Sequence, residues 1–297
     1  MTNKKTFHLE NLHNHICKCM DYCLKLKDSY TIQYCESGVG KEIVDDTDLI
    51  NYINQKEPLE INTYESIEQS ARKEINGLST YIVSCKFLKS EWDGSVQTIA
   101  NSPTYNMVGY LLAKMLDTLI LKSLIENASA PTINLEDGTW ENSNKIDIDI
   151  KNIIKSLRRQ SSIEPHKLFL DYNSYDYAED FYNSPKTKKQ WKDGNVERIQ
   201  LKELDCSNDY LNDSVSNGIG LWYCKYPFAP AVLYSYSENS NEEDIMNNLP
   251  LVKINFGEDK YYQIVEFVMK VGVAVIFPKA VGHMNGFLTP KNNSNKK

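Results

Sequence analysis

The sequence lacks any long hydrophobic run. Its longest uncharged apolar run, residues 271–277, is far too short to span a bilayer, and residues 1–10 contain no apolar signal core. It also lacks a disulfide framework, since its cysteines are odd in number and follow no repeating spacing. We therefore predict free thiols, no membrane partner, and a chain made and used in the cytoplasm. The cysteines are Cys17, Cys19, Cys23, Cys35, Cys85, Cys206 and Cys224.

The chain also lacks an excess of positive charge, since its 40 Asp and Glu residues outnumber its 33 Lys and Arg residues and give a formal net charge of −7. That balance excludes a protein whose whole surface grips nucleic acid, which needs concentrated Lys and Arg. Local contacts with phosphates remain possible at residues 186–192, which include Trp191, at Arg158 and Arg159, and in the tail at residues 291–297. The alternative for the first two is a solvated loop and a solvated helix end.

Familiar catalytic motifs are missing as well. The chain contains no G-x-x-x-x-G-K-[ST], no H-E-x-x-H and no G-x-S-x-G sequence. Gly38, Val39, Gly40 and Lys41 superficially resemble a phosphate-binding loop, but the leading glycine is missing and Glu42 stands where Ser or Thr should hold magnesium. We predict a flexible turn at this position.

The strongest chemical-looking cluster is N-terminal and contains His13, His15, Cys17, Cys19 and Cys23. On a helix, His15, Cys19 and Cys23 share one face and offer three soft ligands to zinc or copper, although a tetrahedral site needs a fourth. The alternative is that the thiols act as small apolar side chains and the histidines are solvated. The sequence leaves metal binding by these three residues open.

Cysteine catalysis would need a histidine beside the thiol. His166 and His283 are not placed next to Cys85, Cys206 or Cys224 by any local pattern. Tyr172, Tyr175, Tyr177 and Tyr182 are typical of packing or interface positions rather than of a base-stacking platform. We therefore predict a protein that is not an enzyme, and assign no catalytic, cofactor-binding or metal-binding residue and no cofactor.

What the sequence does contain is a long apolar helix over residues 101–130, started by Pro103. Its polar residues Asn106, Lys114, Thr118, Lys122 and Glu126 form one narrow stripe, and we expect the remaining faces to be covered. At about 1.5 Å per residue the helix is about 40 Å long. The residues expected to be covered are Met107, Val108, Leu111, Leu112, Met115, Leu116, Leu119, Ile120, Leu124 and Ile125.

Other elements flank this helix. An amphipathic helix with Leu12, Ile16, Met20 and Leu24 precedes a break at residues 37–40, and a short helix lies near residues 49–53. Extended segments are predicted at residues 59–64 and 78–83. Beyond the long helix we predict helices at residues 147–159 and from 171 to before 185, and strands at residues 168–170, 198–201, 219–226, 232–236, 251–256, 261–269 and 271–277.

In this order the elements resemble the major capsid proteins of tailed phages and related archaeal viruses, the Hong Kong-type shell fold also used by encapsulins. Residues 81–88 resemble the strand that leaves the extended loop of that family, and residues 116–120 an Asp followed by apolar residues late in its spine helix. Residues 168–170 followed by Tyr172 and Tyr175 are similar to a strand and helix of the axial domain, and residues 271–281 to the closing strand.

The resemblance implies an α+β fold with an N-terminal arm (residues 1–30), an extended-loop region (31–101), a peripheral domain that contains the spine helix (102–145 and 251–290), an axial domain (146–250) and a polar tail (291–297). It implies no specific crosslink, because no motif selects Lys73, Lys86 or Lys89.

For function, the resemblance implies a viral major capsid protein, located in the virion and assembled in the host cytoplasm. Its copies would form pentamers and hexamers of an icosahedral shell around double-stranded DNA, which they would touch by weak non-specific contacts. Scaffold, portal and decoration proteins are further implied partners. The alternatives are an encapsulin-type nanocompartment shell and a thiol- or metal-dependent small-molecule enzyme.

Overall fold

The computed structural model describes residues 2–35, 39–43, 72–76, 78–89, 103–127, 133–134, 140, 146–161, 167–183, 200–204, 220–223, 229–236 and 249–285. The helices in this part of the chain are α1 (Thr2–Cys23), α2 (Pro103–Asn127), α3 (Ile146–Ser161) and α4 (Tyr172–Asn183). Its strands are β1 (Tyr30–Cys35), β2 (Val39–Ile43), β3 (Arg72–Asn76), β4 (Ser79–Leu88), β5 (Ile133–Asn134), β6 (Lys167–Asp171), β7 (Gln200–Leu204), β8 (Gly220–Tyr223), β9 (Ala231–Tyr236), β10 (Val252–Glu258), β11 (Tyr262–Val275) and β12 (Gly282–Asn285).

The chain divides into two compact units. The first combines Met1–Ile120 with Val232–Ile276, and the second combines Leu121–Ala231 with Phe277–Lys297. Each unit is therefore discontinuous in sequence, and α2 contributes residues to both.

The first unit is built on a sheet in the order β1-β9-β11-β10, with β4 also paired to β11. Strand β11 runs antiparallel to both β10 and β4. Alternate residues of β11, from Val265 through Phe267 and Met269 to Val271, are buried, as expected for a sheet with one face on the core. The ring of Tyr105 on α2 stacks on Phe87 and meets Phe267 edge-on, with ring centroids 5.8 and 5.7 Å apart. Helix α2 therefore covers this face.

Helix α1 packs against α2 within the same unit. Leu12, Ile16, Met20 and Leu24 are all buried, which confirms the predicted apolar stripe. The two backbones approach closely at Gly109, where a Cβ atom would stand 2.5 Å from Cys19 Cβ and 3.2 Å from the Ile16 carbonyl oxygen. Only a residue without a side chain fits this crossing.

The second unit contains a sheet in the order β5-β12-β8-β6-β7. Its core includes Leu168, Phe169 and Leu170 of β6, all fully buried. Helix α3 buries Ile146, Ile150 and Leu157, and α4 packs against β6 and β7 with Ala178 fully buried. The predicted helices and the strand between them are confirmed, with bounds one or two residues from those expected.

The structure corrects several sequence predictions. The two strands expected at residues 261–269 and 271–277 form the single strand β11, in which Lys270 pairs with Thr80 and points outward, over the Tyr236 ring. A lysine on the solvent face does not interrupt a strand. Met107, expected to be covered, is 55% exposed, and Gly40 lies in β2 rather than in a turn.

The sequence did not predict strands β1, β2, β3, β5 and β12, because short strands with mixed polar residues carry little periodic signal. The predicted helix at residues 49–53, the predicted strand at 59–64 and the tail at 291–297 lie outside the described residues. None of the helices in the described part of the chain is both long and apolar enough to span a membrane.

Candidate assembly surfaces

The turn between β10 and β11 and the adjoining end of β4 form a tip at one end of the first sheet. The tip is defined here as Leu88, Phe256, Tyr261 and Tyr262. Leu88 at the end of β4 is paired with Tyr262 at the start of β11, whereas Phe256 on β10 is paired with Val265. Because neighbouring positions along a strand point to opposite faces, Leu88 and Tyr262 share one face and Phe256 lies on the other. The tip therefore presents apolar groups on both faces of the sheet.

The turn at the tip is held by Asp259. One carboxylate oxygen of Asp259 accepts hydrogen bonds from the backbone N–H groups of Tyr261 and Tyr262, at 2.8 and 2.7 Å. These two bonds, with lesser contributions from Lys86 and Lys89, hold the pKa of the Asp259 carboxyl below its usual range. The backbone N–H of Lys89 also donates to the Tyr261 carbonyl. The turn is thus ordered by its own polar contacts.

The apolar side chains of the tip are exposed to an unusual degree. Tyr261 is 61% exposed, Phe256 47%, Leu88 41% and Tyr262 37%. Single exposed apolar residues are ordinary, but four of them around one ordered turn and the adjoining strand ends are typical of a protein-protein contact. Two adjacent tyrosines between strand-like segments were the available sequence signal, and sequence reasoning missed it.

Further large apolar side chains are exposed elsewhere in both units. Tyr22 on α1 is 90% exposed, Ile148 on α3 is 56% exposed, and Ile82 on the outer face of β4 is 50% exposed. Single exposed apolar side chains of this kind are ordinary on a protein surface.

The structure places His15 and Cys19 next to each other on α1, with 3.7 Å between His15 Nε2 and Cys19 Sγ. Both contact Asn106 of α2, whose side-chain oxygen lies 2.7 Å from His15 Nε2. This contact links α1 to α2. Among the described residues, no group of three or more His, Cys, Asp or Glu side chains is arranged to hold a metal ion.

Four described thiols, three in the N-terminal cluster and Cys85 on β4, are poorly suited to nucleophilic chemistry. Burial raises the pKa of Cys17 to about 11, and burial also raises the pKa of Cys19, Cys23 and Cys85. The reactive form of cysteine is the thiolate, which a raised pKa disfavours. Cys17 Sγ lies 3.7 Å from His13 Nε2, a contact within one turn of α1.

The remaining candidate residues are spread over the molecule. Lys41 is paired with Glu74 between β2 and β3, so three of the four residues of the loop-like sequence lie in a strand. Arg158 and Arg159 are exposed on the last turns of α3, and Tyr177 on α4 is 40% exposed. His166, Trp191, Cys206 and Cys224 lie outside the described residues.

By sequence, neither a protein-family model nor a curated protein matches the chain.

Comparison of three-dimensional structures does find similar proteins. A phage-related protein from Bordetella bronchiseptica RB50 is 11% identical and aligns over 94% of this chain and 97% of its own, with a TM-score of 0.62. A chain of the virus-like particle from Pyrococcus furiosus is 11% identical and aligns over 93% and 98%, with a TM-score of 0.60. A chain of the holo-SrpI encapsulin complex from Synechococcus elongatus PCC 7942 is 8% identical and aligns over 90% and 89%, with a TM-score of 0.50.

The chain has the Hong Kong-type capsid fold. This confirms the family resemblance drawn from the order of the elements, although the identities are far too low for a sequence search to detect. The chain leaves the first unit within α2, builds most of the second unit, returns to the first through β9, β10 and β11, and ends in the second unit with β12.

Proposed function

We propose that this chain is a viral major capsid protein that self-assembles into an icosahedral shell around double-stranded DNA. In this proposal its copies form pentamers and hexamers, and the assembled protein is a component of the virion, built in the host cytoplasm. The protein acts mechanically rather than as an enzyme.

One observation carries the proposal. The fold is shared along nearly the whole chain with the phage-related protein and the virus-like particle, each of which is itself covered almost completely. A likeness confined to one unit would be compatible with many functions, since folds are reused. A likeness over two discontinuous units favours a common role.

The exposed apolar tip gives physical support. A closed shell requires contacts between different surfaces of neighbouring copies, because each subunit must contact others around several symmetry axes. The net charge of −7 keeps most of the surface from adhering to the packaged DNA and limits the interaction to local, non-specific contacts.

The domain roles are part of the proposal. We assign residues 102–145 and 251–290 to a peripheral domain with α2 as its spine helix, and residues 146–250 to an axial domain. Residues 1–30 would be the N-terminal arm, 31–101 the extended-loop region and 291–297 the polar tail. Scaffold, portal or decoration proteins would be its partners in a virus.

Expression of the full chain followed by sedimentation and negative-stain microscopy tests the proposal. The expected result is closed shells, tubes or capsomer rings, and material from the virus is expected to carry nuclease-protected DNA. A protein that remains monomeric across a series of salt and protein concentrations and in the presence of a scaffold would contradict the proposal.

The second candidate is an encapsulin-type nanocompartment shell, favoured by the likeness to the encapsulin complex over 90% of this chain. The contents of native particles distinguish the two. A co-purifying cargo enzyme without nuclease-protected DNA would favour the compartment. A thiol- or metal-dependent enzyme is not proposed, because no arrangement among the described residues favours it.

A further inference from the structure

Helix α3 carries a basic face on the side opposite its buried residues. The helix packs against Pro278–Ala280, and Leu157 lies against Gly282 at the start of β12, where a Cβ atom would stand 3.1 Å from Leu157 Cδ1. The exposed side has the helical spacing of a single face. The basic face consists of Lys151, Lys155, Arg158 and Arg159, all exposed, with Ile148 exposed at one end.

The acids of α3, Asp147 and Asp149, both lie in its first turn. Asp149 is half-buried, and one of its carboxylate oxygens accepts a hydrogen bond of 2.9 Å from the Trp140 indole N–H. The residues from Ile150 to the end of α3 include no Asp or Glu. The exposed charged residues from Lys151 to the end of α3 are therefore all basic, in a chain of net charge −7.

Helix α4 carries an acidic face with the opposite sign. It packs against β6 and β7 and buries Ala178. On its solvent side Asp176, Glu179 and Asp180 are exposed, and Tyr177 is 40% exposed beside them. These three acids define the acidic face. Like the basic face, it has one exposed apolar group next to its charges.

The two faces belong to different parts of the same sheet. In the order β5-β12-β8-β6-β7, α4 packs at the β6 and β7 end, whereas α3 contacts the start of β12. Strand β8 lies between β12 and β6, so the supporting strands are separated by about 10 Å or more. Opposite charges at two separate places of one unit suit a ring, in which each copy uses one surface on the copy before it and another on the copy after it.

We propose that the basic face of α3 in one copy docks against the acidic face of α4 in the next copy of the same chain. This inference rests on the proposed shell function and identifies the contact between neighbouring copies in the pentamers and hexamers of that shell. Charge complementarity sets the orientation and the order of the copies. The neighbouring Ile148 and Tyr177 give the contact an apolar part that charged groups alone lack.

DNA is the competing occupant of the basic face, since phosphates also bind clustered Lys and Arg. Binding of DNA would explain α3 but not the acidic face of α4, which a nucleic acid would repel. A second copy of the chain explains both faces with one contact, and is therefore the occupant the structure favours.

Charge reversal tests the contact. Three variants of the full chain are compared with wild type: a basic-face variant (K151E/K155E/R159E), an acidic-face variant (D176K/E179K/D180K) and a combined variant with all six substitutions. The matched control, K18E/K253E/K270E, reverses three exposed lysines of the first unit that lie outside the tip. Circular dichroism and thermal melting verify folding, which exposed substitutions should change little.

In sedimentation at physiological salt, each single-face variant should lose assembled material by about tenfold or more, because like charges then face each other. The combined variant should recover assembly, because its two reversed faces again carry opposite charges. An equimolar mixture of the two single-face variants should also recover assembly in rings with an even number of copies, since the two variants can alternate around such a ring and opposite charges then meet at every contact. The control should assemble as wild type does.

Two results would overturn the contact while leaving the shell function intact: wild-type assembly by a folded single-face variant, or failure of a folded combined variant to recover. A basic-face variant that assembles normally but loses DNA retention would assign α3 to DNA instead. Wild-type protein that never self-associates would contradict the shell function itself.

Discussion

At the scale of single residues, Asp117 on α2 fastens the segment that follows α1. Its two carboxylate oxygens accept hydrogen bonds from the backbone N–H groups of Lys25 and Leu26, each 2.9 Å long. Burial raises the pKa of the Asp117 carboxyl to about 6, against the two hydrogen bonds and the Lys25 charge, which lower it. Burial raises the pKa values of Cys23 and Tyr30, and the Asp117 charge adds to both shifts. Folding therefore disfavours the ionised form relative to the unfolded chain, and the carboxyl becomes mostly ionised only above about pH 6.

This pKa predicts a specific pH dependence. A carboxyl whose pKa is higher in the folded state contributes stability that is fully present below its unfolded value, near pH 4, and is lost as the pH rises through about 6. Between pH 7 and pH 5, wild type should gain about 1 kcal/mol of unfolding free energy relative to Asp117→Asn. Urea denaturation of both proteins at several pH values measures this, and parallel curves would show that the Asp117 pKa is not raised.

At the scale of elements, the crossing of α1 and α2 depends on Gly109. A methyl group there would overlap Cys19 Cβ and press on the α1 backbone, so Gly109→Ala should lower the unfolding free energy by about 1–2 kcal/mol, despite the better helix propensity of alanine. Chemical denaturation measures the loss. Gly257→Ala is the matched control, because its added Cβ would meet only Ile264 Cβ at 3.9 Å. Equal stability of the two variants would mean that the helices do not cross closely at Gly109.

Elements with a strong periodic pattern were predictable from the sequence, and contacts between distant segments were not. Leu12, Ile16 and Met20 repeat at helical spacing and are buried as expected. The Gly109 crossing depends on residues about 90 positions apart, which no local pattern encodes. The single strand β11 was split at Lys270 because a charge within an apolar run resembles a break.

The candidate surfaces were less predictable than the fold. The sequence left Arg158 and Arg159 open between a local phosphate contact and a solvated helix end, and it gave the acids of α4 no role. Exposure on one helix follows from its spacing, but the placement of α3 near β12 and of α4 on β6 and β7 follows from the order of strands in the second sheet. The order of strands in a sheet is a property of the tertiary structure, so the separation of the basic and acidic faces could not be predicted from local sequence patterns.

At the scale of the whole molecule, the tip gives a prediction about assembly that is independent of the charged faces. Tyr261 is 61% exposed, so Tyr261→Ser should leave the unfolding free energy nearly unchanged. In an assembled contact a buried tyrosine is often worth 2 kcal/mol or more, so we expect the variant to yield about tenfold fewer particles in sedimentation and microscopy.

The control for the tip is Ile82→Ser, which removes a similarly exposed apolar side chain, 50% accessible, from the outer face of β4 in the same sheet. If loss of any exposed apolar area weakened assembly, both variants would fail equally, and the tip would have no special role. If Tyr261→Ser alone fails while remaining folded, the ordered turn around Asp259 serves to hold an aromatic contact for a neighbouring copy. Normal particles from Tyr261→Ser would remove the tip from the assembly contacts and leave the charged faces of α3 and α4 as the stronger candidates.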